Sequence, residues 1–124
     1  MRIRDYYSQI ETIIKDSLII THFSIDFDEI DVNVGYIKGK LELIDGSFLY
    51  FIEYVEIRDV PERIKYKYQW QKENGDLIAR WDNVPHHKEI DTFPYHMHDA
   101  DGVHPSEDVD LEAIIDRIMD EIIV

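Results

Sequence analysis

Apolar positions in the chain change period several times, and each change predicts a different element. Tyr6, Ile10, Ile13, Ile14 and Leu18 recur at spacings of three and four, which predicts an amphipathic helix near the start. A short extended piece around 22–27 follows, before an acidic turn that takes in Asp26, Asp28, Glu29 and Asp31. From Tyr36 the period falls to two, with Ile37, Leu41 and Leu43 alternating against Lys38, Lys40 and Glu42. Asp45-Gly46 reads as a two-residue turn into Phe48–Ile57, setting Leu43 opposite Phe48, Leu41 opposite Tyr50 and Lys38 opposite Glu53. The strand 48–57 is apolar on nearly both faces, as expected of a central strand.

A second hairpin is written more strongly. Ile64, Tyr66, Tyr68 and Trp70 alternate with Lys65, Lys67, Gln69 and Gln71, and Asn74-Gly75 suits a type I′ turn into 77–82. Counting back from that turn pairs Trp70 with Ala79, Tyr68 with Trp81, Gln69 with Arg80 and Lys67 with Asp82. One face becomes an aromatic core wall containing Trp81, and the other carries Lys65, Lys67, Gln69 and Arg80. Beyond Asn83 periodicity is lost in a long connection punctuated by Pro85, Pro94, Gly102 and Pro105. Leu111, Ile114, Ile115, Ile118, Ile122 and Ile123 then mark a C-terminal amphipathic helix, with Asp108 and Asp110 near its positive end. The pattern predicts an α+β fold: one domain over residues 1–124, an antiparallel sheet of about four to five strands built from two hairpins, and amphipathic helices at both ends.

Composition narrows the function classes. The chain has 124 residues, enough for one core, and no Cys, which removes disulfides, thiolate metal sites and thiol nucleophiles together. No apolar run approaches the ~20 residues of a membrane helix, and the polar start lacks a signal-peptide centre; a cytoplasmic protein that meets no membrane is expected. The formal charge of −14 opposes a polyanionic partner, because nucleic-acid affinity rests largely on Lys and Arg contacts to phosphate. The excess is uneven, however: acids crowd 26–31 and 99–121, leaving the Lys65, Lys67, Arg80 face as a local basic surface.

The candidate chemistry lies between Arg80 and His104, where five of the six histidines fall. His86, His87, His96 and His98 are acid–base candidates because imidazole titrates near neutrality, and Arg80 offers a fixed fork of donors for phosphate. If 96–98 is extended, both rings share one face and can chelate a metal, with Asp99, Asp101 and His104 following. That run is faintly similar to the histidine–aspartate box of metallo-β-lactamase-type hydrolases, but its spacing departs from it. Glu53 interrupts an apolar face, and the opposite charge of Lys38 accounts for it as a cross-strand pair. Asp82 and Asn83 serve equally well as ligands for a substrate or as turn residues ahead of Pro85.

The run Tyr66-x-Tyr68-x-Trp70, then Asn74-Gly75-Asp76-Leu77-Ile78-x-Arg80-Trp81-Asp82-Asn83-x-Pro85-His86-His87, on to Thr92-Phe93-Pro94-x-His96-x-His98, resembles the TumE family of toxin–antitoxin proteins over the second half of the chain. The resemblance implies a cytoplasmic toxin with a helix-turn-helix antitoxin as cognate partner and RNA as the supposed target. Toxins of this kind that cut RNA are usually basic, so the charge of −14 is a departure. The combined expectation is a metal-independent ribonuclease, with Arg80, His86, His87, His96 and His98 catalytic and Lys65, Lys67, Asp82 and Asn83 binding substrate. It assigns no metal or other cofactor and leaves room for a homodimer. The competing expectation is a non-catalytic partner-binding or metal-binding protein whose loop holds a divalent ion at His96 and His98.

Overall fold

In a computed structural model the described residues are 1–83 and 95–123. The elements are α1 (Ile3–Asp16), β1 (Ile20–Asp31), β2 (Val34–Leu43), β3 (Phe48–Ile57), β4 (Pro61–Gln71), β5 (Leu77–Asp82), β6 (His96–Asp99), β7 (Gly102–Pro105) and α2 (Leu111–Ile123). The α+β class with a helix at each end is as expected, but the sheet has seven strands rather than four or five. All seven pair antiparallel in chain order, β1 to β7, a meander whose strands are joined by short turns except between β5 and β6, which residues 83–95 connect.

Two parts of the sequence account for the extra strands. The piece expected around 22–27 runs the full length of Ile20–Asp31, pairing with β2 from Ile20 opposite Leu43 to Asp31 opposite Val34. Its carboxylates had suggested a turn, but an edge strand tolerates charge and is protected by it. The expected long connection contains the β6–β7 hairpin, where Met97 alternates with His96 and His98 and pairs across to His104. Residues 84–94, which include Pro85, His86, His87 and Pro94, lie outside the described residues.

Both main hairpins turn differently from expectation, for one reason. A two-residue type I′ turn needs a positive φ at Asp45 or Asn74, and among the described residues only glycines have one. Each hairpin instead makes a three-residue turn closing on a left-handed glycine, Gly46 in one and Gly75 in the other. Leu43 N–H donates to Ser47 O at 2.9 Å in the first, and Lys72 N–H to Asp76 O at 2.8 Å in the second. The extra residue slides the first hairpin by one place: Leu41 faces Leu49, Lys40 faces Tyr50 and Ile37 faces Glu53. The expected Lys38–Glu53 pair does not form, and Lys38 lies opposite Ile52. In the second hairpin a bulge between Trp70 and Gln71 restores the count, so Trp70–Ala79, Tyr68–Trp81, Gln69–Arg80 and Lys67–Asp82 pair as read from the sequence.

The core fills one face of the sheet. Ile10 and Ile14 of α1 and Leu111, Ile114, Ile115 and Ile118 of α2 pack with Ile37, Leu41, Leu49, Phe51, Tyr66, Tyr68, Trp70 and Trp81. Leu18 is not part of α1; it is 83% exposed, because the helix ends at Asp16 with Ser17 N–H donating to Ile14 O. At the other end, Asp110 Oδ1 accepts the Ala113 N–H of α2 at 2.9 Å, a side-chain cap on an otherwise open donor. Asp108 is drawn away to Arg63 at 2.8 Å.

Candidate functional site

Side chains two apart on a strand share a face, so Arg80 and Asp82 of β5 project together. His96 and His98 of β6 project beside them, because the β5–β6 register sets His96 opposite Asp82 and His98 opposite Arg80. Trp81 and Met97, also opposite one another, turn to the core face. Four of the residues selected from the sequence therefore meet on the sheet face away from the helices.

Asp82 is the centre of the group. Its Oδ1 lies 2.5 Å from His96 Nε2, and its Oδ2 lies 3.4 Å from His98 Nε2 and 3.3 Å from Arg80 Nε. The two imidazole rings meet edge to face, with centroids 4.8 Å apart. Exposure is graded: the side chains of Asp82 and His96 are 3% and 1% accessible, His98 12% and Arg80 32%. A buried carboxylate is costly unless compensated, and the permanent charge of Arg80 compensates this one. The carboxylate in turn fixes the orientation of both rings. Arg80 is the most accessible of the four, and His98 lies beside it, largely buried, with its Nε2 turned in towards Asp82. A guanidinium next to an imidazole is a pair suited to holding and protonating a phosphate oxygen.

The same three groups suit a metal. The ligand atoms of Asp82, His96 and His98 all lie within 4.8 Å of one another, and two imidazoles with one carboxylate are a common donor set for zinc and other divalent transition ions. His104 is not part of the cluster. Its Nε2 lies 2.9 Å from Asp99 Oδ1, a hydrogen bond that holds the Asp99 carboxyl below its ordinary value.

The remaining sequence candidates separate into two kinds. Lys65 and Lys67 are exposed on the same face, with Lys67 opposite Asp82. Asn83 is engaged with backbone: its Oδ1 accepts from Tyr66 N–H at 2.9 Å and its Nδ2 donates to Ile64 O at 3.1 Å. Those two bonds continue the β4–β5 ladder beyond Asp82, which is a structural task. His86 and His87 lie outside the described residues.

Sequence reasoning missed a second polar cluster, built around Glu53 in the core. Glu53 is fully buried and accepts hydrogen bonds from the hydroxyls of Tyr6 and Tyr68, the latter at 2.6 Å. Arg63 completes it, donating to Tyr68 Oη at 3.0 Å, to Val109 O and to Asp108. Burial pushes the Glu53 carboxyl up from its ordinary value, against the lowering influence of the two hydroxyls and Arg63. The signal was present, a glutamate on an apolar face, but the one-place register shift disguised its partners. With α1, β3, β4 and the approach to α2 all contributing, the cluster ties helices to sheet.

The fold and the site together define a small α+β domain with a histidine–carboxylate–arginine group on the sheet face opposite the helices. Comparison with protein families then gives a direct match: the model of the family described as Toxin TumE covers residues 10–123, and the chain belongs to that family. It is a toxin of a toxin–antitoxin system, and that class implies a cognate antitoxin as partner. Comparisons with curated proteins and with solved structures give no match. Among the described residues no helix is long and apolar enough to cross a membrane.

Proposed function

We propose that this toxin is a cytoplasmic, metal-independent endoribonuclease whose reacting groups gather around Asp82. The observation that supports this reading is the convergence of Arg80, His96 and His98 on one carboxylate. In such a reaction a ribose 2′-hydroxyl attacks the adjacent phosphorus, one group takes the hydroxyl proton, and a second protonates the departing 5′-oxygen. His98, the more accessible imidazole, takes one of these proton transfers, and Arg80 neutralises charge on the phosphorane. Asp82 and His96, deeper in the sheet face, position them. His86 and His87 are the candidates for the second transfer. In this reading the partner is a small helix-turn-helix antitoxin.

The test is expression of the chain without its partner, scored by growth arrest and by cleavage of RNA in EDTA. His98→Ala and Arg80→Ala should each lower cleavage by about 10²–10⁴-fold, the usual worth of acid–base assistance, with far-UV circular dichroism unchanged. Wild-type rates in both variants would remove the cluster from the mechanism.

A second reading rests on the Asp82, His96, His98 ligand set, which a divalent ion would turn into a metal centre. Its signature is cleavage lost in EDTA and restored by zinc or manganese. Stoichiometric metal binding seen by native mass spectrometry and lost in His98→Ala would accompany it.

A further inference from the structure

The sheet face opposite the helices carries more than the cluster. Cross-strand pairing sets Lys40, Tyr50, Gln69, Arg80 and His98 in one row, on β2, β3, β4, β5 and β6 in turn. A parallel row runs Lys38, Ile52, Lys67, Asp82 and His96. Both rows therefore lead from β2 directly into the Asp82 site. Four strand spacings of about 4.8 Å make each row roughly 19 Å long, the reach of a few nucleotides.

Aromatic rings lie along this face among the cations. Tyr36 and Tyr54 pack edge to face with centroids 4.8 Å apart, and Phe48 and Tyr50 lie at 6.2 Å with planes 30° apart. Lys40 Nζ sits 5.1 Å from the Phe48 centroid and 5.9 Å from that of Tyr50. All four rings are half-buried, although none belongs to the core clusters. Flat rings flanked by ammonium groups are what an unpaired nucleic-acid strand requires: bases stack on the rings while phosphates meet the cations.

Charge across the face is arranged for that use. Lys38, Lys40, Lys65, Lys67 and Arg80 occupy its interior. Asp26 and Asp28 lie on the edge strand β1, while Glu42, Glu56 and Glu62 lie towards the ends of β2, β3 and β4. The interior carboxylate, Asp82, is engaged by Arg80 and the histidines.

We propose that this face is the path of single-stranded RNA into the Asp82 site, with Tyr50 and Tyr54 as stacking platforms and Lys40 and Lys67 as phosphate contacts. The assignment rests on the ribonuclease reading for its choice of ligand. It also reconciles an RNA substrate with a chain of −14, since the phosphates approach a surface from which most carboxylates are absent.

The experiment measures fluorescence anisotropy of a labelled 12-nucleotide oligouridine at low salt in EDTA, using His98→Ala as the common background to suppress cleavage. Tyr50→Ala and Tyr54→Ala should each weaken binding by about 5- to 150-fold, the range for losing one stacked base, while Tyr50→Phe retains it. Lys40→Ala and Lys67→Ala should each flatten the salt dependence by close to one phosphate contact. Lys15→Ala, on the exposed side of α1, should bind as the background does. Undiminished binding in a Tyr50→Ala, Lys40→Ala double variant would overturn the path, as would an absence of binding in the background protein. Loss of antitoxin capture in that variant, with RNA binding intact, would overturn it in favour of a protein-docking face. Failure of the ribonuclease reading looks different: wild-type protein would bind RNA through this face and leave it uncut.

Discussion

Glu53 shows how one residue's surroundings set its chemistry. Facing it are Tyr6 from α1, Tyr68 and Arg63 from β4, and the carboxylate of Asp110 ahead of α2. Burial dominates and raises its carboxyl above the ordinary 4.5. A group raised in the folded state stabilises the fold fully below its unfolded value, and that contribution is lost as pH rises through the folded value. Urea midpoints should therefore decline as pH increases upward from 4.5, and Glu53→Gln should flatten the decline. Glu53→Ala should cost about 3 kcal/mol in urea unfolding at neutral pH, because it strands two buried hydroxyls and an arginine. The sequence marked Glu53 as anomalous, yet its partners lie 47 and 15 residues away, on elements whose placement no local pattern specifies. Asp82 shows the same limit. Its shared face with Arg80 was legible, but its central role required β6 to arrive alongside.

At the scale of elements, turn chemistry governs much of what can be read. Alternation identified β2, β4 and β5, since burying one face of a strand imposes a period of two, and Ile37, Leu41, Leu43, Tyr66, Tyr68, Trp70, Ala79 and Trp81 are buried as read. β3, apolar on nearly both faces, was assigned the wrong inward set, and Ile64 is exposed. The turns were the weak point, because Asp45-Gly46 and Asn74-Gly75 suit both two-residue and three-residue hairpins. A single residue then decided every cross-strand partner of β2 and β3, whereas the bulge beside Gln71 cancelled the same error in β4 and β5. β6 and β7 escaped detection because four residues are too few for a periodic signal. β5 supplies the hydrogen-bond partner of β6, and β6 that of β7. Close packing within the sheet yields a prediction of its own at Gly39. A Cβ there would stand 2.1 Å from Phe51 Cε1, on a ring that is buried and confined. Gly39→Ala should destabilise the fold by about 1–3 kcal/mol, read from the urea midpoint, and Phe51→Leu in the same chain should recover part of the loss.

Across the whole molecule, the excess negative charge is segregated. Carboxylates concentrate on β1 and on α2 with the segment before it, where Glu112, Asp116, Asp120 and Glu121 meet Arg117 as the one cation of the helix. Self-repulsion of this kind is screened by salt, so about 0.5 M potassium chloride should raise the thermal midpoint by a few degrees. The same salt should weaken any RNA complex, so the two responses have opposite signs and separate stability from binding.

The sequence by itself determined the α+β class, the two terminal helices, the second hairpin's register and the placement of Trp81 in the core, because these follow from periodicity and burial within short windows. The motif from Tyr66 to His98 was likewise enough to resemble the toxin family to which the chain belongs. Tertiary structure alone decided the seven-stranded meander, the convergence of His96 and His98 on Asp82, the Glu53 cluster and the cationic, aromatic rows that cross the sheet face opposite the helices. Each joins residues distant in the chain, and only strand pairing, which sums turn lengths and bulges over the whole sheet, brings them together.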